Sequence, residues 1–168
     1  MTKTPEQKKK EAFDVMARLL NEYKTASLAT TNSEGNPQVS YSPTAVDDDH
    51  NFYLFLSELS DHTGNLQSNP GISLMLIEDE ARSGQLFARN RLTVTGTASI
   101  IERESRLWSS AGQIYRARFG KFFDQLSQLK DFHMFKIVPN QARLVVGFGA
   151  AFEVNLLDWS DLRLLTGK

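Results

Sequence analysis

The polar side chains between Ser57 and Asn65 are the residues whose types and spacing could do chemistry. Hydroxyls, the His62 imidazole and the Asn65 amide stand there beside a predicted helix start, where unpaired backbone amides favour an anionic group. Ser57, His62 and Asn65 are therefore candidate ligand contacts. The alternative from this stretch alone is a capped connector between two strands, with Asp61 as the helix cap.

Two apolar runs flank this polar stretch and must position it. Residues 52–56 and 72–77 are almost entirely hydrophobic, which predicts two strands that are buried on both faces. Residues 61–68 predict a short helix between them, and Asn69-Pro70 predicts its end. The polar side chains are thus expected where a buried strand passes into a helix.

The composition excludes several classes of site. The chain has 168 residues, with 19 Lys plus Arg against 20 Asp plus Glu, and no cysteine. This balance gives no electrostatic case for binding nucleic acid or a membrane surface, and the lack of cysteine removes thiolate chemistry. The first residues have no apolar signal core, and no run reaches membrane-spanning length. We therefore predict one cytoplasmic domain over residues 1–168.

The remaining pattern predicts a mainly β protein with added helices. A helix is expected at about residues 5–23, where Thr4 and Gln7 have the spacing of a capping box. Strands at hairpin spacing follow, including a long strand region at 85–101 and a hairpin around Pro139-Asn140. A C-terminal tail is expected from about residue 155. This order predicts an antiparallel barrel of the α+β class.

Local catalytic and metal-binding motifs are missing from the sequence. The three histidines, His50, His62 and His133, are too dispersed for a local metal motif, and no metal site is predicted. The sequence contains no P-loop, dinucleotide fingerprint or nucleophile elbow. The acidic run at 47–49 lacks the alternate spacing of a calcium loop. The residues alone predict a barrel with one anion-binding corner.

The order of several motifs resembles a known superfamily. The chain resembles the FMN-binding split-barrel superfamily typified by pyridoxamine 5'-phosphate oxidase in SLATTNSEGNPQVSYSPTAV, NFYLFLSELSDHTGNL and SNPGISLML. It resembles the HugZ/HutZ heme-utilization family in IEDE, QLFARNRLT, RFGKFFDQLSQLKDFHMF and VGFGAAFEV. The resemblance implies an antiparallel split β-barrel and a homodimer whose ligand sites lie at the two-fold interface.

This resemblance also implies a ligand and a set of site residues. Members of the family bind heme and degrade it oxidatively to release iron, which implies heme as ligand and an electron donor as partner. His62 stands where the family has a histidine after the third strand, and Arg91 where a basic residue faces the heme. Asp131 matches an aspartate that crosses the interface and hydrogen-bonds the iron-ligating histidine. Such a contact orients the imidazole and strengthens its donation to iron, so Asp131 is the catalytic candidate.

Two departures from the family pattern set further expectations. The family's axial histidine lies in a Gly-His motif of its C-terminal tail, whereas this sequence ends with Thr166-Gly167-Lys168. If the natural chain also ends there, heme is expected to be held by Arg91 and apolar contacts, with slow or absent degradation. The alternative is that the sequence is a shortened one. The alternative function is an FMN-binding oxidoreductase, although His62 stands where those oxidases commonly have a phosphate-binding lysine. Gly64 stands where the heme family often has an arginine.

Each site candidate also has a purely structural interpretation. Arg91 could be a surface residue paired with Glu102 or Glu104, and Asp131 could be a turn residue before a strand. His62 could hydrogen-bond the helix start without touching a ligand.

Overall fold

A computed structural model of the protein describes residues 4–165. The residues Thr166, Gly167 and Lys168, on which the expectation about the axial ligand depends, lie outside the described residues. Within the described residues four α-helices and eight strands follow one another as α1 Pro5–Glu22, β1 Thr25–Thr31, β2 Pro37–Val46, β3 Phe52–Ser57, α2 Asp61–Ser68, β4 Gly71–Ile77, β5 Arg91–Ile100, α3 Arg106–Phe119, α4 Lys121–Leu126, β6 Phe132–Val146, β7 Ala150–Val154 and β8 Leu162–Leu165.

The strands form one sheet in the order β3-β2-β1-β4-β5-β6-β7-β8. The sheet closes because β3 also pairs antiparallel with the first part of β6, from Phe52 opposite Ile137 to Ser57 opposite Phe132. Closure pairs the backbone groups that the edge strand β3 would otherwise expose with those of the part of β6 that β7 does not reach. The fold is therefore mainly β with added helices, an antiparallel split barrel, as predicted.

The chain divides into two compact units, each of which is described by itself. The first unit contains the described residues up to Tyr23, then Met75–Val94, and the described residues from Asn140 onward. The second unit contains Lys24–Leu74 and Thr95–Pro139. The single domain over residues 1–168 stays a prediction.

Burial on both faces is confirmed for β3 in the second unit. The five residues from Phe52 to Leu56 are all buried. The Phe55 ring packs edge to face against Trp108 and Tyr115 of α3 and against Phe123 of α4. The two helices therefore cover one face of this strand with aromatic rings, a geometry that adds to the area they bury.

The same prediction is wrong for β4. Ile72, Leu74 and Leu76 are buried, whereas the alternate residues Ser73 and Met75 are only half-buried. The alternation is that of a strand with one face on the core and the other partly open. A continuous apolar run does not distinguish a strand with one open face from a strand covered on both faces. The helices that would cover the second face are distant in sequence and leave no mark on the run itself.

The hairpin predicted around Pro139-Asn140 is also wrong, because β6 runs without a break from Phe132 to Val146. The strand changes partner at this point. Residues 132–137 pair with β3 and residues 143–146 pair with β7. Pro139 has no backbone N–H to donate, and it falls in the interval where neither of these partners needs one.

The predicted strand region at 85–101 begins only at Arg91, because Leu86–Ala88 forms a 3-10 turn. Gly96 lies inside β5, at a close approach to β6 in the second unit. A Cβ atom there would lie 2.6 Å from the carbonyl oxygen of Val138 and 2.8 Å from Cγ2 of Ile137. Glycine is therefore required at this position by packing.

The first unit contains α1, whose predicted capping box is confirmed. Thr4 Oγ1 accepts from the Gln7 backbone N–H at 3.2 Å, and Gln7 Oε1 accepts from the Thr4 N–H at 2.9 Å. The strand β8, which pairs with β7, was not predicted in the C-terminal tail. In the described part of the chain no helix is both long and apolar enough to cross a membrane.

A buried carboxylate lies in the first unit, beneath a cavity of about 630 Å³. Glu78 accepts from Arg18 Nη2 at 3.1 Å and from Asn90 Nδ2 at 3.1 Å. Asn90 Oδ1 accepts in turn from the Gly147 N–H at 3.0 Å. The Arg18 cation balances the charge of the carboxylate within the protein. The bond from Gly147 to Asn90 fixes the turn between β6 and β7.

Candidate functional site

The predicted polar stretch borders a cavity of about 580 Å³ in the second unit, a volume within the range of ligand pockets. Three segments contribute to it: the end of β1, the first half of β2, and the connection from β3 into the start of α2. The cavity is lined by Thr30, Gln38, Val39, Ser40, Tyr41, Leu59, Ser60, Asp61 and His62. The structure therefore places one of the predicted ligand contacts, His62, directly at a cavity.

The start of α2 differs from the prediction, because Ser60 is the N-cap and Asp61 is the first helical residue. Ser60 makes no capping hydrogen bond with its side chain, so the predicted cap at Asp61 is wrong and none replaces it. The exposed Asp61 carboxylate instead complements the positive end of the helix dipole. An added anion at this helix start would meet a negative charge already in place.

Two hydrogen-bonded pairs tie α2 to β2, and we call them the polar ladder: Ser40 with His62, and Gln38 with Asn65. His62 Nδ1 lies 2.8 Å from Ser40 Oγ. Asn65 Nδ2 donates to Gln38 Oε1 at 2.6 Å and also to Thr30 Oγ1 at 2.9 Å. The structure thus places His62 and Asn65, two of the predicted site residues, in neighbouring hydrogen-bonded pairs between α2 and β2.

The geometry of the ladder follows from the periods of its two elements. Gln38 and Ser40 are two apart on β2 and share one face, while His62 and Asn65 are three apart on α2 and also share one face. Thr30 pairs directly with Gln38 across the β1–β2 register. Both contacts of Asn65 therefore sit side by side. The only sequence signal for Gln38 and Ser40 as site residues is their spacing of two on β2, which puts both side chains on the same face of the strand.

The cavity carries little positive charge. Burial lowers the pKa of His62 below its ordinary value, and the opposing effect of Asp61 is smaller, so the imidazole is neutral near pH 7. Of the nine lining residues, all in the described part of the chain, Asp61 alone is a formally charged acid or base at that pH. A ligand here meets neutral hydrogen-bonding groups, apolar side chains and one carboxylate.

Two further predicted residues, Ser57 and Asp131, hydrogen-bond to each other. Ser57 Oγ donates to Asp131 Oδ2 at 2.9 Å, and the Glu58 N–H donates to the Asp131 carbonyl oxygen at 2.8 Å. His133 Nε2 lies 2.6 Å from Glu58 Oε1. The carboxylate of Asp131 is thus fixed at the end of β3, and the Ser57 hydroxyl is already used in holding it.

Arg103 fixes the segment that leads to Asp131, and the sequence analysis missed it. Its Nη1 donates to the Ser127 carbonyl oxygen at 3.1 Å, and its Nη2 donates to those of Leu129 at 2.5 Å and Phe132 at 2.8 Å. The guanidinium carbon lies 4.7 Å from the centroid of the Trp108 ring. Because the acceptors are backbone carbonyls, residue types in this segment give no signal of the contact.

Arg91 lies in the first unit. It is half-buried, and its Nη1 donates to the Arg89 carbonyl oxygen at 3.2 Å. Arg89 donates in turn through Nε to the Glu78 carbonyl oxygen at 2.8 Å. Its role toward a ligand stays a prediction.

Comparisons with known proteins agree with the fold. The family model described as pyridoxamine 5'-phosphate oxidase matches residues 13–146. Heme oxygenase HutZ of Vibrio cholerae is 44% identical over 140 residues, which are 83% of this chain and 79% of that protein. A crystal structure of HutZ, described as the heme storage protein of Vibrio cholerae, superposes with a TM-score of 0.73 at 41% identity, covering 79% of this chain and 92% of that one. Campylobacter jejuni ChuZ superposes with a TM-score of 0.77 at 28% identity, covering 92% of this chain and 61% of that one.

Proposed function

Because the chain belongs to the pyridoxamine 5'-phosphate oxidase family, we propose that it is a heme-utilization protein that binds heme at the cavity of the second unit. The observation that carries the proposal is the lining of this cavity, which combines apolar walls with neutral donors. A porphyrin is a large apolar plate with acidic groups on one edge, and it fits such a lining. The similarity to HutZ supports the same role, and the proposal places the protein in the cytoplasm.

The same lining argues against FMN, whose phosphate is dianionic at neutral pH. Protein phosphate sites usually supply Arg or Lys side chains, or free amides at a helix start. Here the cavity presents a neutral His62 and an exposed Asp61 carboxylate at the start of α2. Asp61 repels a phosphate, which carries both charges on one small group, more strongly than two separate, singly charged propionates, and the neutral imidazole supplies no cation for the phosphate.

A pair of titrations tests this ligand choice. We expect the purified protein to bind ferric heme at one equivalent per chain with a shifted Soret band, and to bind FMN at least about tenfold more weakly, because one charge-assisted hydrogen bond is worth roughly that factor. Absorbance measures heme binding, and quenching of flavin fluorescence measures FMN binding.

The variant Asp61→Asn/His62→Lys supplies the matched control. It removes the negative charge and adds a cation at the start of α2, so FMN affinity is expected to rise. Tight FMN binding by the unaltered protein, with no saturable binding of heme, would refute the proposal in favour of a flavoprotein.

The proposal includes a homodimer. Large apolar side chains that are exposed at the rim of the cavity support it. Val39 is 82% exposed, Tyr41 70% and Leu59 91%. Exposed apolar surface of this kind usually marks an interaction site. A second copy of the chain that covered this rim would complete the walls of the cavity.

Sedimentation velocity tests the dimer. At micromolar concentration we expect a dimer for the unaltered protein and a monomer for Val39→Asp, because the new carboxylate would be buried without a partner. Leu157→Asp is the control, since Leu157 is 98% exposed in the first unit and away from the rim residues in sequence. A monomeric unaltered protein, or equal dissociation in both variants, would remove the dimer from the proposal.

Oxidative degradation of the bound heme is the second part of the proposal, with Asp131 as the residue that acts and an external electron donor as partner. Support comes from two bonds that hold Asp131: Ser57 Oγ donates to its carboxylate, and the Glu58 N–H donates to its backbone carbonyl oxygen. A carboxylate fixed in this way suits the task of orienting an imidazole.

A further inference from the structure

The polar ladder and Thr30 together use both N–H groups of the Asn65 side chain inside the protein. One hydrogen of Nδ2 goes to Thr30 Oγ1 at 2.9 Å and the other to Gln38 Oε1 at 2.6 Å. Asn65 is only 8% exposed. Its amide therefore has no donor left for a ligand, and any effect of Asn65 on a ligand passes through one of its two partners.

Gln38 is the partner that faces the cavity. Its side chain is half-buried and lines the cavity beside Ser40. Since its carbonyl oxygen accepts from Asn65, the group it has left is the Nε2 amide with two N–H donors. Within residues 4–165 no hydrogen bond from this nitrogen to another residue is found. The ladder thus fixes the polarity of Gln38 and presents a donor to the ligand.

The polarity of this position decides which ligand edge it accepts. A ligand acceptor, above all a carboxylate oxygen, gains a hydrogen bond from Gln38, and hydrogen bonds to charged acceptors are stronger than neutral ones. A hydrogen-bond donor on the ligand would face the N–H donors of Gln38 and could form no hydrogen bond with them. The imidazole of His62 is neutral, so the lining offers no cation that competes for the same carboxylate.

We propose that Gln38 selects the acidic edge of the ligand by donating from Nε2 to a carboxylate oxygen, and that Asn65 is the positioning residue that holds the Gln38 amide in this orientation. The inference rests on the proposed function, because it takes the two propionate carboxylates of heme as the acidic edge. The propionates are then recognised by the neutral side-chain amide of Gln38 on β2.

The variant Gln38→Glu tests the contact with little disturbance of the fold. Glutamate has the same shape and still accepts from Asn65, but it replaces the amide donor with a negative oxygen. We expect heme affinity to fall about tenfold, and affinity for heme dimethyl ester to fall less than about threefold, because the ester carries no charge. Gln67→Glu is the control, since it makes the same change at an exposed position of α2 and should alter neither affinity.

The variant Asn65→Asp tests the positioning role. An aspartate carboxylate cannot donate to Gln38, so the Gln38 amide has to turn and present its carbonyl oxygen to the cavity. We expect the same selective loss, about tenfold for heme and less than about threefold for the dimethyl ester. A merely structural role would weaken both ligands equally, and thermal unfolding of each variant shows whether the fold is kept.

The outcomes separate this inference from the proposed function. If the unaltered protein does not bind heme, the proposed function fails. If it binds heme and Gln38→Glu binds both ligands as Gln67→Glu does, the function stands and the role of Gln38 is overturned. Equal losses for heme and its dimethyl ester in Asn65→Asp would overturn the positioning role of Asn65. A loss confined to heme in both variants supports the proposal.

Discussion

Replacing Gly96 with alanine is expected to lower the free energy of unfolding by about 3 kcal/mol, the upper part of the range for overpacked sites. The added Cβ would lie 2.6 Å from the Val138 carbonyl oxygen and 3.2 Å from its carbonyl carbon. These are backbone atoms of β6, which cannot retreat without distorting the strand pairing. Urea denaturation followed by circular dichroism measures the change.

Gly64→Ala is the matched control for that substitution. Gly64 lies inside α2, and a Cβ there meets no atom within 4 Å. Alanine is expected to raise the stability by about 0.5–1 kcal/mol, because it is the better helix former and restricts the unfolded chain. If Gly96→Ala were as stable as the unaltered protein, the close packing of β5 on β6 would be wrong.

Replacing Asp131 with asparagine is expected to slow heme degradation about 10- to 100-fold, the usual cost of losing a residue that orients a metal ligand. Heme affinity should change much less, because asparagine keeps the shape and an oxygen that accepts from Ser57. The charge that we propose to orient an iron-ligating imidazole is lost. The decay of the Soret band, with ascorbate as electron donor in air, gives the rate.

Asp124→Asn provides the control for charge removal in the same unit. Asp124 lies on α4 and pairs with Arg116 at 2.5 Å, with 42% of its side chain exposed. It is expected to leave the rate of heme degradation unchanged. An unaltered rate in Asp131→Asn, alongside measurable degradation by the unaltered protein, would exclude Asp131 from the reaction.

The sequence predicts those parts of the fold that depend on near neighbours. The capping box of α1 depends on two residues that are three apart in the sequence, and an unbroken apolar run predicts β3. The error at Pro139 has the opposite origin. A Pro-Asn pair usually indicates a turn, but here the strand continues because it exchanges β3 for β7 as its partner. Partner exchange depends on distant strands and leaves no local pattern.

The candidate site divides in the same way. His62 is recognisable from its residue type beside a predicted helix start. The sequence gives no sign that the Asn65 donors are consumed by residues of β1 and β2, or that Ser57 donates to an aspartate 74 residues away. Gln38 acquires its polarity only from Asn65, which lies 27 residues farther along the chain. Such assignments require the folded arrangement.

The contacts of Arg103 carry a consequence for how this protein can diverge. The guanidinium holds three carbonyl oxygens between Ser127 and Phe132, and every amino acid supplies a carbonyl oxygen. Side chains in this segment can therefore drift between homologous sequences while the path of the backbone is inherited unchanged. The invariant that preserves the placement of Asp131 would then be an arginine 28 positions upstream, so a sequence motif drawn around Asp131 alone would miss it.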